Sequence, residues 1–245
     1  EIIMTIKIGI NGLGRIGRCV ARAIVEEGYD DIQLVAANGS ASNANHAHLL
    51  QYDSVHGRFG HKIAVDERGI DMGRGHITIT HERDPKNINW AALGVDLVLE
   101  CTGAFNSKEA ASVHLAQGAK KVLISAPAGD DCPTFVYGVN CGQLTPAHTV
   151  FSVGSCTTNA LAPVAKVLDE QFGIVSGFMT TVHAYTGDQN LVDGSHKDPQ
   201  RARAACMSMV PTKTGAAKAI GLVTGSELSL YAAALAYLRS QHAYA

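Results

Sequence analysis

Apolar runs of strand length alternate with helical patterns along the first part of the chain, and a Gly-x-Gly-x-x-Gly turn joins the first run to the first helix. These two observations predict an α/β protein built on a doubly wound parallel sheet. Ile6 to Ile10 reads as a short buried strand. Arg15 to Glu27 carries Ile16, Val20, Ala23 and Ile24 at helical spacing, and Ile32 to Ala36 reads as the next strand. This strand–turn–helix–strand unit covers about 30 residues, the length a parallel crossover needs. Lys62 to Val65 and His76 to Thr80 read as shorter strands of a meander, with turns at Gly69 and Gly73. Val95 to Glu100 is a strand, Ser107 to Gln117 a helix stopped by Gly118, and Lys121 to Ser125 a strand stopped by Pro127.

A second region begins near Val150. Val150 to Val153 is a strand, and Ser155 is placed to cap a helix running to about Phe172. Ala160, Leu161, Val164, Leu168 and Phe172 are its expected buried stripe; Pro163 is expected to bend it and Gly173 to end it. Val175 to Ala184 is a strand of a new sheet. Thr186 to Arg203 is polar and rich in Gly and Asp, which suits a functional or interface loop better than a linker.

Composition excludes several classes. Of 245 residues, 46% are hydrophobic and 17% charged, as in a globular protein with an ample core. The net charge is -2 with no block of like charges, so no nucleic-acid partner is expected. No apolar run approaches the roughly 18 residues of a membrane span, and no membrane partner is expected. Glu1 to Met4 lacks a basic leader region. The six cysteines form no C-x-x-C pair and suggest neither a disulfide framework nor a metal site. A reducing, cytoplasmic location is the expectation.

Four motifs carry chemistry. In Gly12-Leu13-Gly14-Arg15-Ile16-Gly17, the first glycine permits the tight turn and the second lets the backbone approach a pyrophosphate. The third packs helix against strand, so a dinucleotide cofactor is expected at the helix N-terminus. The acidic residue that would hold the ribose 2′-hydroxyl is not evident. The second strand instead runs into Asn38-Gly39-Ser40, where Gly39 removes a repelling charge and Ser40 offers a hydroxyl. That pair reads either as a site tolerant of a 2′-phosphate or as a plain turn.

Cys156, in Ser155-Cys-Thr-Thr-Asn159, lies in the first turn of its helix, where the dipole favours a thiolate. Ser155 and Thr157 add hydroxyls beside it. The other five cysteines are read as buried and structural. His183, 27 positions later at the end of an apolar strand, is the candidate general base. Arg201 and Arg203, with Thr214-Gly215 opening another helix, could form an anion site or a solvated surface.

With these residues in view, the chain resembles the phosphorylating glyceraldehyde-3-phosphate dehydrogenase family, from about Ile6 to Val223. The resemblance rests on K-I-G-I-N-G-L-G-R-I-G-R (Lys7–Arg18), H-L-L-Q-Y-D-S-V-H-G (His48–Gly57), E-C-T-G (Glu100–Gly103) and S-A-P-A (Ser125–Ala128). It continues in S-C-T-T-N (Ser155–Asn159), H-A-Y-T-G-D-Q (His183–Gln189), R-A-R-A-A (Arg201–Ala205) and T-G-A-A-K-A-I-G (Thr214–Gly221). It implies Cys156 as nucleophile and His183 as base. It implies that Asn11, Gly12, Arg15, Ile16, Thr102 and Ser125 meet the cofactor. It implies a substrate-phosphate pocket with Thr186, and an inorganic-phosphate pocket with Ser155, Thr157, Thr214, Gly215 and Arg201. The implied partners are an aldehyde phosphate, inorganic phosphate and, in the full-length protein, three further copies in a homotetramer.

The chain departs from the family at several positions. Ala160 replaces a second cysteine, Asn38-Gly39 the usual Asn-Asp, and Pro199-Gln200 the common Leu-Arg. Gly194-Ser195 stands where strictly NAD-using members tend to carry Leu-Pro, and resembles NADP-using members in which a neighbouring subunit's serine helps bind the 2′-phosphate. The expectation is therefore use of both NAD and NADP, leaning towards NADP, with Gly14, Gly39, Ser40 and Ser195 among the cofactor residues. The family's R-V-P-T and W-Y-D-N-E motifs are absent from the residues after Val223. The domain reading is 1–154 as a Rossmann-type dinucleotide domain, 155–223 as part of an incomplete α+β catalytic domain, and 224–245 as an unmatched tail. Two alternatives stay open: a truncated nucleotide-binding protein with impaired catalysis, and an erythrose-4-phosphate dehydrogenase.

Overall fold

The computed structural model describes residues 5–207, 209–212, 214–224 and 229–237. Residues 1–4, and 225–228 and 238–245 of the segment read as a tail, lie outside the described residues. The chain divides into two units. One comprises residues 1–135 and 144–154; the other comprises residues 136–143 and 155–245.

The first unit opens with β1 (Ile6–Asn11), α1 (Arg15–Glu26) and β2 (Ile32–Asn38). α2 (Asn43–Gln51) follows, capped by Ser42, whose hydroxyl accepts from the Asn45 amide at 3.3 Å. A small hairpin pairs β3 (Tyr52–Asp53) with β4 (Gly57–Arg58). A meander of β5 (Ala64–Val65), β6 (Gly69–Asp71) and β7 (His76–Thr80) comes next. β8 (Leu97–Glu100), α3 (Lys108–Ala111), α4 (Val113–Ala116), β9 (Lys121–Ile124) and β10 (Val150–Ser152) complete it.

The sheet order is β10-β9-β8-β1-β2-β7-β6-β5, parallel from β10 to β7 and antiparallel beyond. The chain leaves β1 on one side to β2 and returns on the other as β8. The strand order therefore reverses beside β1, and the carboxyl ends of β1 and β8 flank the crevice where such sheets bind ligands. Leu97 and Leu99 face a cluster containing Ile8, Ile10, Leu34 and Ile24, while Val98 faces Trp90, Val95 and Ala36. That is the two-residue alternation of a strand buried on both sides.

The expected helix over Ser107–Gln117 is interrupted at Ser112. Its hydroxyl donates to the Lys108 carbonyl at 2.6 Å and competes with the regular backbone ladder. α2, the hairpin and β6 were not foreseen. They carry too little apolar periodicity, and α2 is mostly Asn and His in its first turns.

The second unit holds α5 (Cys156–Phe172), β11 (Ser176–Ala184), β12 (Val210–Thr212), α6 (Ala216–Thr224) and β13 (Ser229–Tyr237). Its sheet order is β11-β13-β12. β13, drawn from the segment read as an unmatched tail, lies parallel to β11 and antiparallel to β12. The stripe expected to be buried on α5 is corrected. Ala160, Val164, Leu168 and Phe172 are exposed and Leu161 is half-buried, whereas Thr158, Ala162 and Ala165 are buried. Small residues win the interior because α5 packs on Ile220 and Val223 of α6 and on Val136, and close helix packing favours short side chains. Val136–Gln143 joins this unit, with Lys166 donating to the Gly138 and Val139 carbonyls at 3.2 and 3.0 Å. Helix α5 runs through Pro163 and ends at Gly173.

Candidate active site

The Gly-rich turn forms a cradle in the first unit. Gly12 sits at φ 100°, and a side chain there would come within 2.8 Å of Thr102. A Cβ at Gly17 would collide with the Gly12 carbonyl, so α1 packs directly on the turn. Gly14 is the N-cap of α1 and supplies no side-chain cap; a Cβ there would meet nothing within 4 Å. The first amides of α1 thus border open space with no acidic residue in the first turn, which suits a pyrophosphate.

A cavity of about 500 Å³ adjoins the turn and is lined by Asn11, Gly12, Gly14, Gly39, Ser40 and Thr102, all foreseen from sequence. Arg15, Ile16 and Ser125 do not line it. Arg15 is paired with Asp53, Ile16 is exposed, and Ser125 donates its amide to the Glu100 carbonyl at 3.0 Å. Ser195 lies exposed in the loop of the second unit. The cavity also takes Arg18, Asn38, His46, Glu82 and Arg83, which sequence reasoning missed.

Below the cavity lies a buried polar network. Glu100, 1% exposed, accepts from Asn11 Nδ2 at 2.6 Å, His114 Nε2 at 2.9 Å and the Thr102 amide at 2.8 Å, as well as from the Thr102 hydroxyl. Trp90 Nε1 donates to His114 Nδ1 at 3.0 Å. An indole N–H only donates, so Nδ1 is the acceptor and the His114 proton sits on Nε2, toward Glu100. Asn11 Oδ1 accepts from Asn38 Nδ2 at 2.9 Å, and Asn38 Oδ1 accepts from the Thr80 hydroxyl and the Glu82 amide, each at 2.9 Å. A satisfied buried network is rigid, and this one holds Asn11 and Thr102 in place at the cavity. Glu100 closing an apolar strand was the sequence signal for it.

In the second unit Cys156 is the first residue of α5, behind the Ser155 cap, whose hydroxyl accepts from the Thr158 amide at 2.9 Å. His183, on β11, brings Nε2 to 3.1 Å from the Cys156 sulfur. Its Nδ1 lies 2.6 Å from the Ala184 carbonyl oxygen. A carbonyl only accepts, so Nδ1 carries the ring proton and the Nε2 lone pair faces the thiol. The pair is therefore arranged for proton transfer from sulfur to imidazole, beside a helix terminus that favours the thiolate.

The remaining cysteines are set apart from Cys156 in different ways. Burial pushes the Cys101 thiol up to about 11, against a Ser125 hydrogen bond and with the Glu100 charge assisting. Burial, with Asp131, also raises Cys132 against the pull of Lys108. Cys141 and Cys206 are exposed and Cys19 and Cys101 half-buried, which corrects the expectation that all five are buried; Cys141 opens a single 3-10 turn and Cys206 lies on a loop, both outside the packed clusters. Cys206 Sγ donates to the Leu191 carbonyl at 3.1 Å.

Among the expected phosphate ligands, Thr214 bonds the Ala216 amide at 3.2 Å, and a Cβ at Gly215 would meet open space. Thr186 Oγ1 accepts from the Asp188 amide at 3.5 Å, and Thr157 is half-buried beside Cys156. Arg201 is already engaged: it pairs with Asp188 and donates through Nε to Thr212 Oγ1 at 2.8 Å. Burial raises the Asp188 carboxyl, but the hydrogen bond and charge of Arg201, with His196, outweigh it and hold Asp188 below its ordinary value. Among the described residues no His, Cys, Asp and Glu group is arranged to hold a metal, and no helix is long and apolar enough to cross a membrane.

A glycine-rich cradle with its cavity, and a helix-capped thiol with an imidazole partner, define a dinucleotide-binding chain equipped for thiol chemistry. Residues 6–108 match the family described as glyceraldehyde 3-phosphate dehydrogenase, NAD binding domain, and residues 155–236 match its C-terminal domain. The glyceraldehyde-3-phosphate dehydrogenase of Xanthobacter flavus is 57% identical over 220 residues, which are 90% of this chain and 66% of the relative. Those of Cereibacter sphaeroides and Geobacillus stearothermophilus are 56% and 53% identical, with shares of 90% and 66%, and 90% and 65%. The chain belongs to the glyceraldehyde-3-phosphate dehydrogenase family. It spans 66% of the length of the first of these relatives, and the C-terminal family match extends past Val223 to residue 236.

Proposed function

We propose that the chain carries the machinery for phosphorylating oxidation of glyceraldehyde 3-phosphate to 1,3-bisphosphoglycerate. The observation that carries this reading is the Cys156–His183 pair at 3.1 Å, with Nε2 free to accept a proton. His183 takes the thiol proton, the thiolate adds to the aldehyde carbon, and the imidazolium returns that proton to the former carbonyl oxygen to give the hemithioacetal hydroxyl. His183 next takes the hydroxyl proton as the carbon loses hydride, leaving a thioester on Cys156. Inorganic phosphate attacks that carbonyl, the C–S bond breaks, and an acyl phosphate departs with the thiolate restored. A bound nicotinamide dinucleotide supplies the hydride acceptor. Ser155, Thr157, Thr186, Arg201, Thr214 and Gly215 serve the two phosphate groups, with Arg201 exchanging Asp188 for phosphate. Asn11, Gly12, Gly14, Arg15, Ile16, Thr102 and Ser125 serve the cofactor. The full-length protein works as a cytoplasmic homotetramer.

Both NAD and NADP are used, with a lean to NADP. The absence of a carboxylate at Gly39 and the hydroxyls of Ser40 and Ser195 support this. Gly39→Asp with Ser195→Pro is expected to shift kcat/KM towards NAD. A wild-type preference for NAD above about a hundredfold, or roughly 2.7 kcal/mol, would reduce these positions to turn residues. For the chemistry, the chain is mixed with NAD and glyceraldehyde 3-phosphate without phosphate, and its intact mass is measured. A 3-phosphoglyceroyl adduct on Cys156, removed by added phosphate, is expected. An adduct on Cys141 or Cys206 instead, or none on any thiol, overturns the reading.

A further inference from the structure

His46 is a titratable side chain that the chemistry above does not use. It lies on α2, is 4% exposed, and neither ring nitrogen makes a well-formed hydrogen bond among the described residues, although the Gly39 backbone lies close enough to one of them to act on its charge. Buried polar groups are normally satisfied, so a ring that has only this loose backbone neighbour, with its other nitrogen bare, points to a ligand. The ring lines the cavity beside Gly39 and Ser40. A Cβ at Gly39 would stand 2.5 Å from His46 Nε2 and 2.7 Å from Cε1. The imidazole edge therefore occupies the space where a side chain at residue 39 would begin. In dinucleotide folds the residue at the end of the second strand meets the adenosine ribose. Here that position has no side chain, and an imidazole from the next helix stands in its place.

The charges around the ring favour an anion. Arg18 of α1 donates through Nη1 to the Leu13 carbonyl at 2.8 Å, and its buried Nε has no partner. Glu82 and Arg83, after β7, line the same cavity, and Glu82 accepts from Asn87 Nδ2 at 3.4 Å. His81, beside them, contacts the Gly39 carbonyl through Nδ1 at 2.9 Å. On the other strands packed against α2, Asp53 is held by Arg15 and Asp71 by the Gly73 amide. Burial pushes His46 below its ordinary value; the Gly39 carbonyl opposes this, and His81 and Arg18 add to it. The ring is thus neutral near pH 7 until an anion arrives.

Resting on the reading of this cavity as the dinucleotide site, we propose that His46 is a specificity-determining residue that faces the 2′ position of the adenosine ribose. Its neutral ring bonds the 2′-hydroxyl of NAD, and its protonated ring pairs with the 2′-phosphate of NADP. A 2′-phosphate has its second pKa near 6 and is a dianion above it, so its arrival draws a proton onto the ring. NADP binding then weakens as pH rises, and NAD binding does not.

Calorimetric titration of the chain with NAD and with NADP, from pH 6.5 to 8.5, tests this. Running each pH in two buffers of different ionisation heat counts the protons taken up. NADP affinity is expected to fall about tenfold over that range with proton uptake, while NAD affinity stays level. His46→Gln keeps a polar side chain but cannot take the proton; it should bind NAD and lose both the NADP slope and the uptake. His46→Leu should lose them too, so a folding defect in one variant is checked by the other. NAD binding with a level NADP profile in the wild type overturns the proposal, as does a slope that survives both substitutions. Failure of the wild type to bind either dinucleotide overturns the reading of the cavity itself, and the proposal with it.

Discussion

In the first unit, β1 buries Ile8 and Ile10 against α1, and the whole parallel sheet is covered on both sides. In the second, β11 alternates between exposed and half-buried residues, leaving Phe178 72% and Val182 64% exposed. α5 adds Val164, Leu168 and Phe172 to the exposed apolar surface. The cofactor cradle therefore rests on a closed core and a satisfied polar network. The thiol pair rests on a helix and a strand that each show an apolar face to solvent, which is unusual for a soluble monomer. The two halves of the proposed chemistry should accordingly differ in robustness.

Native-state hydrogen exchange gives the largest expected contrast. Amides of β1 and β8 should exchange through openings at least about 3 kcal/mol costlier than those of β11. Equal protection in the two units would break the comparison.

Glu100→Gln tests the network. Glu100 accepts on both carboxylate oxygens, and the amide nitrogen of glutamine would face a donor on one side. The first unit should lose about 2–3 kcal/mol in urea unfolding, with weaker NAD binding, because buried donors are left unpaired. A loss below about 0.5 kcal/mol would show that the network is not what makes this unit firm.

His183→Asn sharpens the comparison from the other side. It should slow iodoacetamide labelling of Cys156 near pH 7 by about tenfold, with little change in unfolding of either unit. Faster labelling at Cys206 or Cys19 would move the reactive thiol elsewhere.

The smallest effect concerns acid. Burial raises Asp53, but the His56 and Val55 amides and Arg15 outweigh it and lower its carboxyl from 3.8 to about 2. Because the folded value lies below the unfolded one, this stabilisation is present above about pH 4. It is lost as pH falls through 2. Asp53→Asn should cost about 1 kcal/mol at neutral pH and nothing measurable at pH 2. An equal cost at both would assign the effect to geometry rather than charge.

Much of this was readable in one dimension. The glycine spacing, the strands with strong apolar runs, the Ser155 cap and the placing of Cys156 in the first turn all follow from local rules of turn, cap and period. The pairing of Cys156 with His183 was readable through the family motifs around them, since local rules alone do not choose among six cysteines and eleven histidines. The tertiary structure decided what depends on distant neighbours. Which face of α5 is buried was set by α6, not by the helix's own apolar content. Arg201 was drawn to Asp188 and Thr212, and the second sheet took β13 from the segment read as an unmatched tail. His46 came to stand at Gly39 because α2 folds back over the end of β2. Local periodicity specifies an element's type, because it acts over a few residues of backbone. It does not specify a side chain's neighbours, because those are settled by packing and charge between residues far apart in the chain.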